Sequence, residues 1–201
     1  MFNFFKKKVD WNWWMQNACH MMNIDDDQLD KILEALDIQD RKSPEYLFAK
    51  YKYRLISIYY VITAAGLKLS DANDSEFLEF QEKLKIIAIA GNPNPFFSID
   101  NYPVPEIQLD TITPLIDKAG GMNEYHDICL RTIATHIGSS DESGAGSVKE
   151  LGSALFSLYA SSLSSLVDVT DLSSEMTDTF MMYWQGAYRS QSGFARKLIN
   201  S

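Results

Sequence analysis

The chain has 201 residues, short of the ~250–300 at which a single core usually splits. Its 46% hydrophobic and 22% charged residues exclude a disordered chain, which could not bury enough apolar surface to fold. Asp and Glu number 27 against 18 Lys and Arg, a net charge of -9, and a field of that sign repels phosphate backbones and argues against a nucleic-acid partner.

In Met1 to Lys8 the phenylalanines precede the lysines, the reverse of a secretory signal, and three aromatics with three lysines give only weak membrane contact. The longest apolar run, Leu55 to Leu67, is interrupted by Ser57, Thr63 and Gly66 and falls short of the ~20 residues that span a bilayer. A cytoplasmic protein without a membrane span is expected. Cys19 and Cys129 form no CxxC motif and read as buried, reduced thiols.

The 3.6-residue period dominates and predicts an all-α bundle of about six to eight helices. Trp11 to Met22, rich in tryptophan and methionine, reads as a short apolar-faced helix. A second is predicted beyond it, because Leu29, Ile32, Leu33 and Leu36 share one face and Asp25 with Gln28 resembles a capping box. Ser43-Pro44-Glu45 supplies an N-cap, a proline for the first turn and an acid at the positive end of the dipole. The helix it opens runs to about Leu67, amphipathic and basic at first (Lys50, Lys52, Arg54), then apolar nearly all round, as suits the centre of a bundle. Phe77, Phe80, Leu84 and Ile87 make the stripe of a fourth helix that ends at Gly91.

Positions 92–105 hold four of the six prolines together with Phe96, Phe97 and Tyr102, so no helix passes through. This segment reads as the connection between sub-bundles 1–91 and 106–201, its aromatics packing on the bundle or facing a partner. A short helix over Thr111 to Ala119 stops at Gly120-Gly121, and the next runs from Asn123 to about Ile137. After a glycine-rich loop, Ser147-Val148-Lys149-Glu150 resembles a capping box for a helix through Val167. Its second face carries only Ser153, Ala154, Ser157, Ala160, Ser161 and Ser164, which would admit a neighbouring helix closely. A last helix spans about Ser174 to Ser190.

Signatures of phosphate-loop, dinucleotide, zinc-protease and serine-hydrolase chemistry are absent from the sequence. Gly144-Ala145-Gly146 lacks the preceding strand and the lysine of a phosphate loop. The run from Asp25 lacks the glycine and the final glutamate of a calcium loop, position twelve being Leu36. His126, Cys129 and His136 do fall on one helix face, at about 60° and 80° behind the first. They offer an alternative reading as a metal-dependent or Cys/His enzyme, with Cys19 and His20 as further ligands, although their spacing matches no zinc pattern and no third orienting residue is identifiable. No cofactor is expected.

Charge is distributed unevenly. Asp10 to Asp40 holds eight acids and one base, Arg41 to Arg54 five bases and one acid, and Asp71 to Glu82 five acids and no base. Such faces are ordinarily solvated, yet they can also steer a basic protein partner. The functional expectation is therefore a non-enzymatic protein-binding protein, by analogy with small acidic inhibitors an immunity-type, toxin-neutralising one. Its candidate surface comprises Asp26, Asp30, Glu34, Asp37, Asp71, Asp74, Glu76 and Glu79, with the Phe96, Phe97 and Tyr102 segment as a second contact.

Overall fold

A computed structural model describes residues 9–69, 74–91, 106–138, 145–168 and 173–200, and among them every regular element is an α-helix. The seven are α1 (Trp11–Ala35), α2 (Pro44–Lys68), α3 (Asp74–Ala90), α4 (Leu109–Lys118), α5 (Asn123–Gly138), α6 (Ala145–Leu163) and α7 (Ser174–Asn200). None is long and apolar enough to cross a membrane. The Pro-rich segment 92–105 and the N-terminal Phe/Lys run lie outside the described residues.

The two helices expected between Trp11 and Leu36 are one. Asp10, not Asp25, caps α1, its carboxylate accepting the Trp13 N–H at 3.0 Å. Neither glycine nor proline interrupts Trp11 to Ala35, so nothing in the backbone chemistry stops the helix, and Asp25 lies fully buried in its interior. The far end is a Schellman turn: Ile38 N–H bonds Leu33 C=O at 2.8 Å and Asp37 N–H bonds Glu34 C=O at 3.1 Å. Asp37 adopts φ +56° there, the left-handed position ordinarily given to glycine.

Helix α2 begins as predicted, Ser43 Oγ accepting the Tyr46 N–H at 3.2 Å ahead of Pro44. It is the axle of the fold. Every residue from Phe48 to Ile62 is buried, and α2 packs against each of the other six helices. Leu55, Ile56, Ile58 and Val61 are wholly enclosed, each worth ~1.5–3 kcal/mol of transfer from water. Contrary to the amphipathic, basic reading of its first half, Lys50, Lys52 and Arg54 are buried as well. Because α2 contacts helices on both sides of positions 92–105, that segment does not divide the packing of the described residues into two.

The remaining helices differ from expectation mainly at their ends. Helix α4 stops at Gly120 and Gly121, both with positive φ. Helix α6 starts at Ala145, which puts Ser147 inside it instead of at the cap, and it ends at Leu163 instead of Val167. Its small face meets the bundle only in part, because Ala160 is buried while Ala154, Ser157, Ser161 and Ser164 are exposed. Helix α7 continues ten residues past Ser190, since Ala195 and Leu198 join the core.

Arg54 is 1% exposed, so its charge requires partners. Its Nε and Nη2 donate to the two Asp26 oxygens at 2.8 and 2.5 Å, Nη2 also to Glu106 Oε2 at 2.5 Å, and Nη1 to the Ala88 carbonyl at 3.1 Å. Lys50 Nζ donates to Glu106 Oε1 at 2.7 Å. Burial opposes the Lys50 ammonium, but Asp26 and Glu106 outweigh it and leave its pKa above the ordinary value. Burial likewise opposes the Glu106 carboxylate, while Lys50 and Arg54 hold it below the usual range.

Removing one member of such a cluster strands the others. In urea denaturation at pH 7, Arg54→Met is expected to cost ~3–5 kcal/mol, whereas adding Asp26→Leu recovers most of the loss because no buried charge is then left alone. Equal losses for the single and double variants would show that packing, not charge pairing, governs this site.

Candidate functional site

The expected acidic surface is real only in part. Asp26 does not face solvent: its carboxylate is the bidentate partner of Arg54, and its side chain is 18% exposed. Asp30 stays on the surface but accepts from Arg41 Nη1 at 3.3 Å and from the Tyr46 hydroxyl at 3.4 Å. Asp27 forms an i, i+4 pair with Lys31 at 2.7 Å. Glu34 and Asp37 are exposed at the end of α1, Asp37 being the left-handed residue of its terminal turn. Asp71, Phe96, Phe97 and Tyr102 lie outside the described residues, and Asp74 opens α3.

Helix α3 gathers the remaining candidates into a defined hollow. Glu76 accepts the Trp11 indole N–H at 3.3 Å, and Glu79 pairs with Lys83 at 2.6 Å. These side chains wall a groove of about 220 Å³ whose floor is Trp11 and Met15 of α1 and Phe80 of α3. The Trp11 and Phe80 rings lie 4.8 Å apart, tilted by 35°, within the range of favourable aromatic contact. At 100° per residue, Leu78, Glu82, Ile86 and Glu79 share the outward arc of α3 beside this groove. Leu78 is 60% exposed and Ile86 44%, apolar surface set among acids. Sequence periodicity could not find this arrangement, because Trp11 and Phe80 are 69 positions apart and the α1·α3 contact is tertiary.

His126 and His136 of α5 face tyrosines of α2. Cys129 is fully enclosed, and burial pushes its thiol up to about 12. Burial likewise raises Cys19 to about 11. Burial thus disfavours the thiolate form of both. His126 sits against Tyr59 with ring centres 5.7 Å apart, and His136 lies edge-on to Tyr60 at 6.3 Å. His20 packs on Phe194 of α7, 5.3 Å between centres. No three His, Cys, Asp or Glu side chains among the described residues come together in a way that could hold a metal. These groups serve the packing of α5 and α1 against their neighbours.

No known protein family, curated protein or solved structure matches the chain.

Burial, with a smaller contribution from Arg196, depresses His136 from 6.5 to about 4. The native state thus keeps it neutral at a pH where the unfolded chain is already protonated. The stability this gives is complete above pH 6.5 and is lost as pH falls through 4, a loss of about 1–3 kcal/mol after allowance for residual solvent access. Urea midpoints measured at pH 7, 5 and 4 should fall for the native chain, and His136→Leu should flatten that decline. An unchanged slope in the variant would assign the acid sensitivity to other groups.

Proposed function

We propose that this chain is a non-enzymatic protein-binding protein that receives a basic, amphipathic segment of its partner in the groove between α1 and α3. The observation that carries this reading is the coincidence of an aromatic floor, an acidic wall and exposed aliphatic side chains on one helix. Trp11, Met15 and Phe80 offer a recess for one apolar anchor, Leu78 and Ile86 extend the apolar contact, and Glu76, Glu79 and Glu82 ring it with negative charge. Anchor side chains that fill a recess dominate binding energy, whereas rim charges act chiefly on encounter rate and choice of partner.

Local pairing moderates the field. Glu79 and Glu82 already have Lys83 and Lys85 within ion-pair distance, so the described face has an excess of one acid, Glu76, over its bases. Glu34, Asp37 and Asp40, exposed at the end of α1, add to the long-range potential. Within this class we propose an immunity-type inhibitor, whose role is to occupy a basic surface of a toxin. That finer step rests on analogy with small acidic inhibitors.

The test begins with affinity capture from the native cell and identification of a stoichiometric partner. With that partner, Glu76→Lys, Glu79→Lys and Glu82→Lys together should slow association about tenfold at low salt and blunt its salt dependence, with less effect on dissociation. Phe80 is in the core, so the apolar contact is tested at exposed Leu78: Leu78→Asp should speed dissociation without altering the helical circular dichroism. A partner whose rates are unchanged in both variants binds elsewhere, and the reading fails.

A further inference from the structure

Three buried cations stand two residues apart on α2, and among the described residues only two of them have carboxylate partners. Lys50 and Arg54 share Asp26 and Glu106. Lys52, 6% exposed, has no carboxylate within ion-pair distance among the described residues. Its ammonium donates to the Ser161 carbonyl at 2.8 Å and to Ser164 Oγ at 3.4 Å, which leaves one of its three protons uncommitted, and it lies 4.7 Å from the centre of the Phe48 ring. An ammonium kept from water with only neutral acceptors is costly to fold.

Lys52 also forms part of the wall of a hollow of about 590 Å³, open to solvent, a size suited to a small molecule. Phe48 of α2, Leu115 of α4, and Met122, Tyr125 and Ile128 at the start of α5 make its apolar lining, and Ser161 and Ser164 complete it. The small, exposed face of α6 thus leaves space where larger side chains would have filled it. Tyr125 is fixed in place by its hydroxyl, which donates to the Lys52 carbonyl at 2.9 Å.

We propose that this hollow is a binding site for a small monocarboxylate with an apolar body, its carboxylate taken by Lys52 and its body by Phe48, Leu115, Met122 and Ile128. The titratable and charged groups facing the hollow are Glu45 of α2, Lys118 of α4, and Glu124 and Tyr125 of α5, while α6 presents only serines. Glu45, Lys118 and Glu124 are exposed, so water screens them. Lys52 acts from a medium of lower dielectric, where an opposite charge is felt several times more strongly. The site shares no residue with the groove between α1 and α3 and does not depend on the protein-binding reading.

Burial alone lowers Lys52 from 10.5 to about 8. A carboxylate binds the protonated amine, so affinity is greatest below pH 8 and weakens as pH rises through and beyond that value.

The probes are octanoate, octanol and octylamine, titrated into the full chain by calorimetry at pH 7 and pH 10. Octanoate should bind at least about tenfold more tightly than octanol at pH 7, this preference should collapse at pH 10, and octylamine should bind weakest. Lys52→Met should abolish the preference for the acid while raising the melting temperature of the ligand-free protein, because a desolvated charge is gone. Ser164→Phe, at an exposed position, should fill the hollow and remove binding of all three probes. The proposal is overturned if acid and alcohol bind alike at pH 7, if octanoate fails to bind at millimolar concentration, if the preference for the acid survives Lys52→Met, or if octanoate binding survives Ser164→Phe.

Discussion

A guanidinium enclosed at the middle of the central helix dictates much of what surrounds it. Arg54 cannot shed its charge, and solvent does not reach it, so the chain must bring acceptors to it from three directions. Asp26 arrives on α1, the Ala88 carbonyl at the last turn of α3, and Glu106 just before α4. Only one rotation and one translation of α1 against α2 allow both Asp26 oxygens to meet the guanidinium fork, so this contact sets the register of α1 on α2. A lysine could neutralise the charge but not fix the geometry.

Next to this ion-paired carboxylate stands its opposite. Asp25 points into the interior, where Gln191 of α7 donates to one of its oxygens and to Ser57 Oγ, and the Tyr159 hydroxyl of α6 donates to Gln191. Its second oxygen has no partner among the described residues. Burial, against hydrogen bonds from Ser57, drives its pKa well above the usual carboxylate range, so the fold disfavours its charged form. One helical step of about 100° thus separates an ion-paired tie between α1 and α2 from a buried hydrogen-bonded layer joining α1, α2, α6 and α7. Both are costly unless complete, and both exclude alternative packings of helices whose apolar faces alone would slide.

How much of this the sequence discloses follows from the range over which each signal acts. Caps and periodicity are local, so α2, α3 and α5 were legible from Ser43-Pro44, from the Phe77, Phe80, Leu84, Ile87 stripe and from Asn123. The same locality misled at Asp25, where a capping pattern occurs inside a helix, and at Ser147, two residues into α6. Asp37 gave no sign of a helix end because its left-handed conformation is commoner for glycine. Lys50, Lys52 and Arg54 read as a solvated basic stretch because nothing nearby in sequence shows the carboxylates 28 and 52 positions from Arg54. Candidate sites suffered most: Asp26 left the surface, and Lys52 with its hollow emerges only from the meeting of four helices.

The convergence on Arg54 has a consequence for the segment 92–105. Its flanks are fastened whatever lies between: Gly91, at φ +79°, has no room for a Cβ because Glu106 lies against it, and Ile107 N–H bonds the Ile89 carbonyl at 3.0 Å. With both ends staked on the same cation, the entropy of closing the intervening chain grows only logarithmically, ~0.6 kcal/mol for each doubling of its length. By closure entropy alone, a change in the length of that stretch therefore costs the described bundle little.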